Sequence, residues 1–223
     1  MKAQPASLIT AGTTGAGERC AVKQLRPGNE TRQELALRLD NERRVLEYLA
    51  GTPGVIRLLG VRQSPMALLL EWADGGSLDE WLRREPVANS YRFSLAYTLV
   101  AAIVACHSRG VVHRDIKPSN LLLVGTTLRV ADFGLAAWGE PRRALPDGWE
   151  DGAIGTPPWS APELAGGGDA ALAPAVDVYG VARTLRVLLP AGAVTGAVAE
   201  WLDAALSVAP PARPSLNELR AIL

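Results

Sequence analysis

The sequence predicts an α+β fold in two lobes, a small and mostly β amino-terminal lobe (1–72) and a larger helical one (73–223). Three observations predict it. Strand patterns dominate the first lobe, helical patterns dominate the second, and Asp74-Gly75-Gly76 marks the change between them. No repeat or low-complexity linker divides the chain, so a single domain of 223 residues is expected, and with 48% apolar residues it can bury a substantial core.

Taken in order, Leu8–Ala11 and Arg19–Leu25 read as two strands joined by the turn Thr13-Thr14-Gly15-Ala16-Gly17. A helical pattern runs from Glu30 to Ala50 and is stopped by Gly51, Pro53 and Gly54. Val55–Val61 and Met66–Trp72 read as further strands. Ser77 is a good N-cap for a short helix reaching Arg84, and Tyr91–Ser108 is apolar enough to be a buried helix. Short strands are expected at Leu121–Val124 and Leu128–Ala131. Helices near Asp177–Leu189, Val194–Leu206 and Ser215–Leu223 close the chain.

Composition excludes several function classes. Basic and acidic residues balance at 23 each, so no charge excess points to nucleic acid. Met1–Thr10 has no signal-like apolar block. The longest apolar stretch, Leu95–Cys106, falls short of the roughly 20 residues a membrane span needs. Cys20 and Cys106 lie far apart in apolar surroundings and read as buried free thiols, which suits a cytoplasmic setting.

The block that carries chemistry is His113-Arg114-Asp115-Ile116-Lys117-Pro118-Ser119-Asn120, with Asp132-Phe133-Gly134 beginning twelve residues after Asn120. Phosphoryl transfer needs carboxylates and amides for magnesium ions, a carboxylate to orient the attacking hydroxyl, and cations for the phosphates. Asp115, Asn120, Asp132 and Lys117 supply those groups. Any one of them alone would read as a turn or strand-end cap; the ordered set does not. In the helix from Glu30, Leu35, Leu39, Leu46 and Leu49 form an apolar stripe, and Glu42 is the one carboxylate on it. A carboxylate facing the interior needs a cation, and Lys23 is the expected one. Glu34 and Glu47 lie off the stripe and read as solvated.

These residues resemble the eukaryotic-type protein kinases, in their serine/threonine branch. The resemblance implies a two-lobed kinase-like fold that uses ATP and Mg2+, with Asp115 as catalytic base and Asn120 and Asp132 as metal ligands. It implies that Lys117 contacts the transferred phosphate and that Thr156, in Gly155-Thr156-Pro157-Pro158-Trp159-Ser160-Ala161-Pro162-Glu163, steadies Asp115 and Lys117. Lys23 corresponds to the phosphate-anchoring lysine and Glu42 to its partner. Leu70 takes the gatekeeper position, Glu71 to Ala73 the hinge that pairs with adenine, and Ala21 and Leu122 the two faces of the purine slot. Asp177 corresponds to a buried aspartate holding the catalytic loop, and Glu163 with Arg213 to a structural ion pair. His113 is expected to pack on Phe133.

The family pattern breaks in two places. Gly12, Gly15 and Gly17 stand too close to Lys23 to form the glycine-rich loop that covers the phosphates, since Gly17 lies only six positions before Lys23. They form the turn between the second and third strands of the pattern. The first strand and the phosphate lid are therefore expected to be missing, or to lie upstream, and ATP binding is expected to be weak. After Leu189 little room remains for the helix that docks substrates. An active kinase of reduced size acting on a protein substrate is the first reading. A pseudokinase module with little turnover is the alternative, and a small-molecule kinase a third, which Thr156 and Ala161-Pro162-Glu163 oppose. Oligomeric state is not legible. The stretch from Phe133 to Gly155 holds no Ser, Thr or Tyr, so activity without loop phosphorylation is expected. Glu140 and Asp147 read as solvated; Glu150 and Asp151 are either solvated or the anion that neutralises Arg114.

Overall fold

The computed structural model describes residues 6–29, 32–84, 88–139 and 155–223. β1 (Ser7–Thr13) and β2 (Arg19–Leu25) form a hairpin, closed at Gly17, whose φ of 82° a side chain would disfavour. β3 (Leu58–Gln63) and β4 (Met66–Glu71) complete an antiparallel sheet of order β1-β2-β4-β3. Across it packs α1 (Gln33–Tyr48), which buries Leu35, Leu39, Val45 and Leu46 on one face.

The strand expected at Val55–Val61 begins only at Leu58. The residues before it pair with the other lobe instead. The Ile56 amide donates to the Val130 carbonyl at 3.0 Å, and the Val130 amide donates to Gly54 at 2.7 Å. Gly54 allows this approach: it has φ 78°, and an added Cβ would lie 2.5 Å from the Ala102 Cβ.

The helical lobe opens on a small sheet, β5 (Gly76–Ser77), β6 (Leu121–Val124) and β7 (Thr127–Val130), in that spatial order. Ser77 caps α2 (Leu78–Leu82) as expected: its hydroxyl accepts from the Glu80 amide, and the Glu80 carboxylate accepts from the Ser77 amide. α3 (Asn89–Ser108) is the central buried helix, and α4 (Ala175–Leu188), α5 (Gly196–Ala204) and α6 (Leu216–Ile222) pack around it. Ser215 caps α6 with Glu218 in the same reciprocal way. Between Leu189 and α5 lies only a short 3₁₀ turn, Ala191–Ala193. One hydrophobic core runs from Leu39 and Leu46 of α1 through Leu99 and Ile103 of α3 to Leu185 of α4. No helix among the described residues is long and apolar enough to cross a membrane.

Both cysteines are buried and free. Burial, with Asp177 nearby, pushes the Cys106 thiol up to about 12, which makes it an unreactive packing group. Gly180 in α4 lets that helix lie directly on the loop that follows α3. An added Cβ would meet the Ile116 Cβ at 3.0 Å and the Ile116 carbonyl at 3.1 Å.

Arg213 joins the end of the chain to the segment before α4. Its guanidinium donates to both oxygens of Glu163, at 2.6 and 2.8 Å, and its side chain is wholly buried. Removing one partner of such a pair strands the other charge. Arg213→Ala should therefore destabilise the fold by about 3–5 kcal/mol. Thermal or urea unfolding checks this, and Arg213→Met with Glu163→Gln should recover most of the loss.

Candidate active site

The loop between α3 and β6 is fixed from below. The amides of His113 and Arg114 each donate to Asp177 at 2.8 Å, and Nε2 of His107 lies 2.8 Å from the same carboxylate. Asp177 is fully buried. Burial works to raise its carboxyl, but the His107 hydrogen bond and the neighbouring His113 outweigh that and hold it below the ordinary carboxylate value. The anchored backbone is unusual: Arg114 has φ 70°, a region that non-glycine residues seldom occupy. His113 is wholly buried and packs on Phe133, ring centroids 4.7 Å apart.

This anchoring presents Asp115 to the cleft. Lys117 donates to its Oδ2 at 2.6 Å and to the Thr156 hydroxyl at 2.5 Å, and that hydroxyl in turn donates to Asp115 Oδ1 at 3.0 Å. The Asn120 amide nitrogen donates to the Asp115 carbonyl at 2.9 Å and to Oδ2 at 3.0 Å. The four residues Asp115, Lys117, Asn120 and Thr156 thus form one closed polar network. Lys117 and Thr156 are 39 residues apart in sequence.

A second cluster faces it. Lys23, on β2, donates to Glu42 of α1 at 2.6 Å and to Asp132 at 2.9 Å. Burial pulls Lys23 down, but Asp132 and Glu42 together more than reverse it, so the ammonium stays charged. For Asp132, packing works to raise the carboxyl, and Lys23 outweighs it, holding the group at about 2. Glu42 is the most deeply buried of the three, and burial raises its carboxyl against the pull of Lys23. Asp132 has φ 64°, and 47% of its side chain is open to the cleft. Glu34 and Glu47, off the apolar stripe, pair with Arg38 and Arg43 at the surface.

Both clusters line one cavity of about 550 Å³ between the lobes, together with Leu70, Leu122 and Ser119. Ala21, Glu71 and Ala73 are not on its wall. Ala21 pairs opposite Leu70 within the sheet. The Glu71 side chain turns away to Arg57 and Arg129, at 3.1 and 3.4 Å. The expected pairing of Arg114 with Glu150 or Asp151 lies outside the described residues, as do Glu140 and Asp147.

Sequence reasoning missed Asn41. Its buried amide nitrogen donates to the carbonyls of Phe133, Gly134 and Ala136 at 3.4, 3.3 and 3.0 Å, and its oxygen accepts from the Trp138 indole at 3.1 Å. The signal was present but small: a polar residue directly before Glu42, on the half of α1 that turns inward.

Comparison with known proteins matches residues 6–195 to the protein kinase domain. The chain is 34% identical over 151 residues to CBL-interacting protein kinase 26 of Oryza sativa subsp. japonica, which covers 66% of this chain and 30% of that protein. It is 35% identical over 150 residues to CBL-interacting serine/threonine-protein kinase 2 of Arabidopsis thaliana, covering 66% and 32%. With serine/threonine-protein kinase chk-1 of Caenorhabditis elegans the identity is 34% over 200 residues, covering 82% and 37%. The chain thus spans about a third of the length of these curated relatives.

Asp132 and Asp177 both sit below the ordinary 3.8, so each contributes stability that is complete above about pH 4 and lost as acid protonates it. Acid titration of the unfolding free energy should therefore show a steep loss below pH 4. Asp177→Asn should begin less stable at neutral pH and lose less on acidification.

Proposed function

This chain belongs to the protein kinase family, and on that premise we propose that it transfers the γ-phosphate of ATP to serine or threonine hydroxyls of a protein substrate. The observation that carries the reading is the closed network of Asp115, Lys117, Asn120 and Thr156, set across one cavity from Lys23, Glu42 and Asp132.

The adenine would lie between Leu70 and Leu122, with Ala21 behind and the backbone of Glu71 and Ala73 at the hinge. Lys23, charged and braced by Glu42, would grip the phosphates as a fixed cation. The donor set beside it suits Mg2+: the half-open carboxylate of Asp132 and the amide oxygen of Asn120, whose nitrogen is occupied by Asp115, are hard oxygen ligands. When bound there, the ion would offset charge on the phosphates. Asp115 is the group placed to orient the acceptor hydroxyl and receive its proton. Lys117, already against Asp115, would meet the transferred phosphate, and Thr156 holds both in position. Thr156 and Lys117 support serine or threonine as the acceptor. A cytoplasmic setting fits the two free, buried thiols.

Transfer from labelled ATP to a panel of serine, threonine and tyrosine peptides tests this. Asp115→Asn should lower magnesium-dependent transfer by about 10²–10⁴-fold, with circular dichroism and thermal unfolding unchanged. Equal inactivity of wild type and variant at saturating ATP and magnesium would instead assign the chain to the binding modules.

A further inference from the structure

The stretch from Phe133 to Gly155 offers no hydroxyl for phosphorylation, so a loop phosphate cannot be what orders the metal-binding turn. The turn is nevertheless held on two sides. On one, Val112 and Ala137 exchange backbone hydrogen bonds at 2.8 and 2.9 Å. On the other stands Asn41, whose amide nitrogen donates to the carbonyls of Ala136 and Gly134 at 3.0 and 3.3 Å, with that of Phe133 at 3.4 Å, and whose oxygen is held by the Trp138 indole. The Trp138 ring packs on Tyr48 at a centroid distance of 5.3 Å, with the Arg44 guanidinium 5.4 Å from its centre. Tyr48 in turn donates to the Arg109 carbonyl at 3.1 Å, just past the end of α3. Backbone contact is equally close: a Cβ on Gly134 would lie 3.2 Å from the Arg38 carbonyl of α1.

We propose that Asn41 and Trp138 form a built-in latch, positioning residues that lock the Asp132 turn to α1 and keep the site assembled without modification of the loop. The inference rests on the phosphotransfer reading. Its physical basis is adjacency along one helix. Glu42 fixes Lys23, and the residue beside it, Asn41, fixes the turn that carries Asp132. Two neighbours on α1 thus set the distance between the cation of the upper lobe and the carboxylate of the lower. Asp132 is in left-handed backbone, and the Phe133 carbonyl also accepts from the Ala136 amide, so its turn would relax if the Gly134 and Ala136 carbonyls that follow it lost their donor. Those carbonyls are shut from water, and an unpaired buried carbonyl is costly enough to open the segment.

Two variants separate the parts. Asn41→Leu keeps the volume and removes all four hydrogen bonds; Trp138→Phe keeps an aromatic ring and removes only the indole donor. In the resting protein, without nucleotide, Asn41→Leu should speed amide hydrogen exchange over residues 132–138 by about tenfold, the equivalent of one hydrogen bond's net contribution. Exchange in α3 and in β6 should stay unchanged. In steady-state kinetics, kcat should fall by about 10- to 100-fold through misplacement of the turn, while KM for ATP changes little. Trp138→Phe should lie between variant and wild type on both measures. Phosphatase treatment should leave the wild type unaltered. Unchanged exchange over 132–138 in Asn41→Leu would overturn the latch, as would an equal rise throughout α3, which marks general loosening. A wild type that transfers no phosphate would fault the phosphotransfer reading, and the exchange measurement would still decide the latch.

Discussion

Asp177 is a carboxylate with no access to water, and three donors converge on it: the amides of His113 and Arg114 and the ring of His107. Each of those donors would otherwise be a buried polar group without a partner, and the carboxylate a buried charge without one. Their meeting holds Arg114 at φ 70°, where such backbone costs about 1–3 kcal/mol when nothing supports it. Asp115 follows directly, and its direction into the cleft is inherited from that turn. α4 both carries Asp177 and lies against Ile116 through Gly180, so a single helix holds the loop from two directions.

The upper lobe meets this rigid floor through α1. Lys23 binds two carboxylates, one from α1 and one from the Asp132 turn; burial raises the Glu42 carboxyl, while Lys23 holds that of Asp132 down. The pairing leaves Asp132 as the charged carboxylate that faces the cleft. It also ties geometry to electrostatics, because any shift of α1 moves Glu42 and so loosens the hold on Lys23. Networks of this kind are strong only when every member is satisfied. Here one helix carries both Glu42, which binds Lys23, and Asn41, which binds the turn after Asp132, so it serves polar groups of both lobes.

Much of this was legible in the sequence because its determinants are local. Asp115, Lys117 and Asn120 fall within six residues, and their order is what makes chemistry more plausible than capping. Glu42 was legible for another reason: a carboxylate on an apolar stripe demands a cation, and the fold supplies Lys23 at 2.6 Å. Asn41 was not legible. Its acceptors are main-chain carbonyls 92 to 95 residues away, and carbonyls leave no mark in a sequence. His107 stayed hidden likewise, on the last turn of a helix that read simply as buried. Val55 and Ile56 were misread as strand of the upper sheet because β-branched residues favour pairing without naming the partner, and their partner is Val130. The hinge residues Glu71 and Ala73 depended on the family pattern alone, and the cavity wall nearest them is made by Leu70 and Leu122.

The contact between Gly180 and Ile116 has an evolutionary side. Any side chain at position 180 would push on a residue adjacent to Asp115, so drift at that position cannot remain a matter of stability alone. An alanine there would require Ile116, side chain and carbonyl together, to give by a few tenths of an ångström, a shift passed directly to the residue beside it, Asp115. The helix interior at Gly180 is therefore expected to be among the slowest-changing places in descendants that keep the chemistry, and among the first released in those that abandon it.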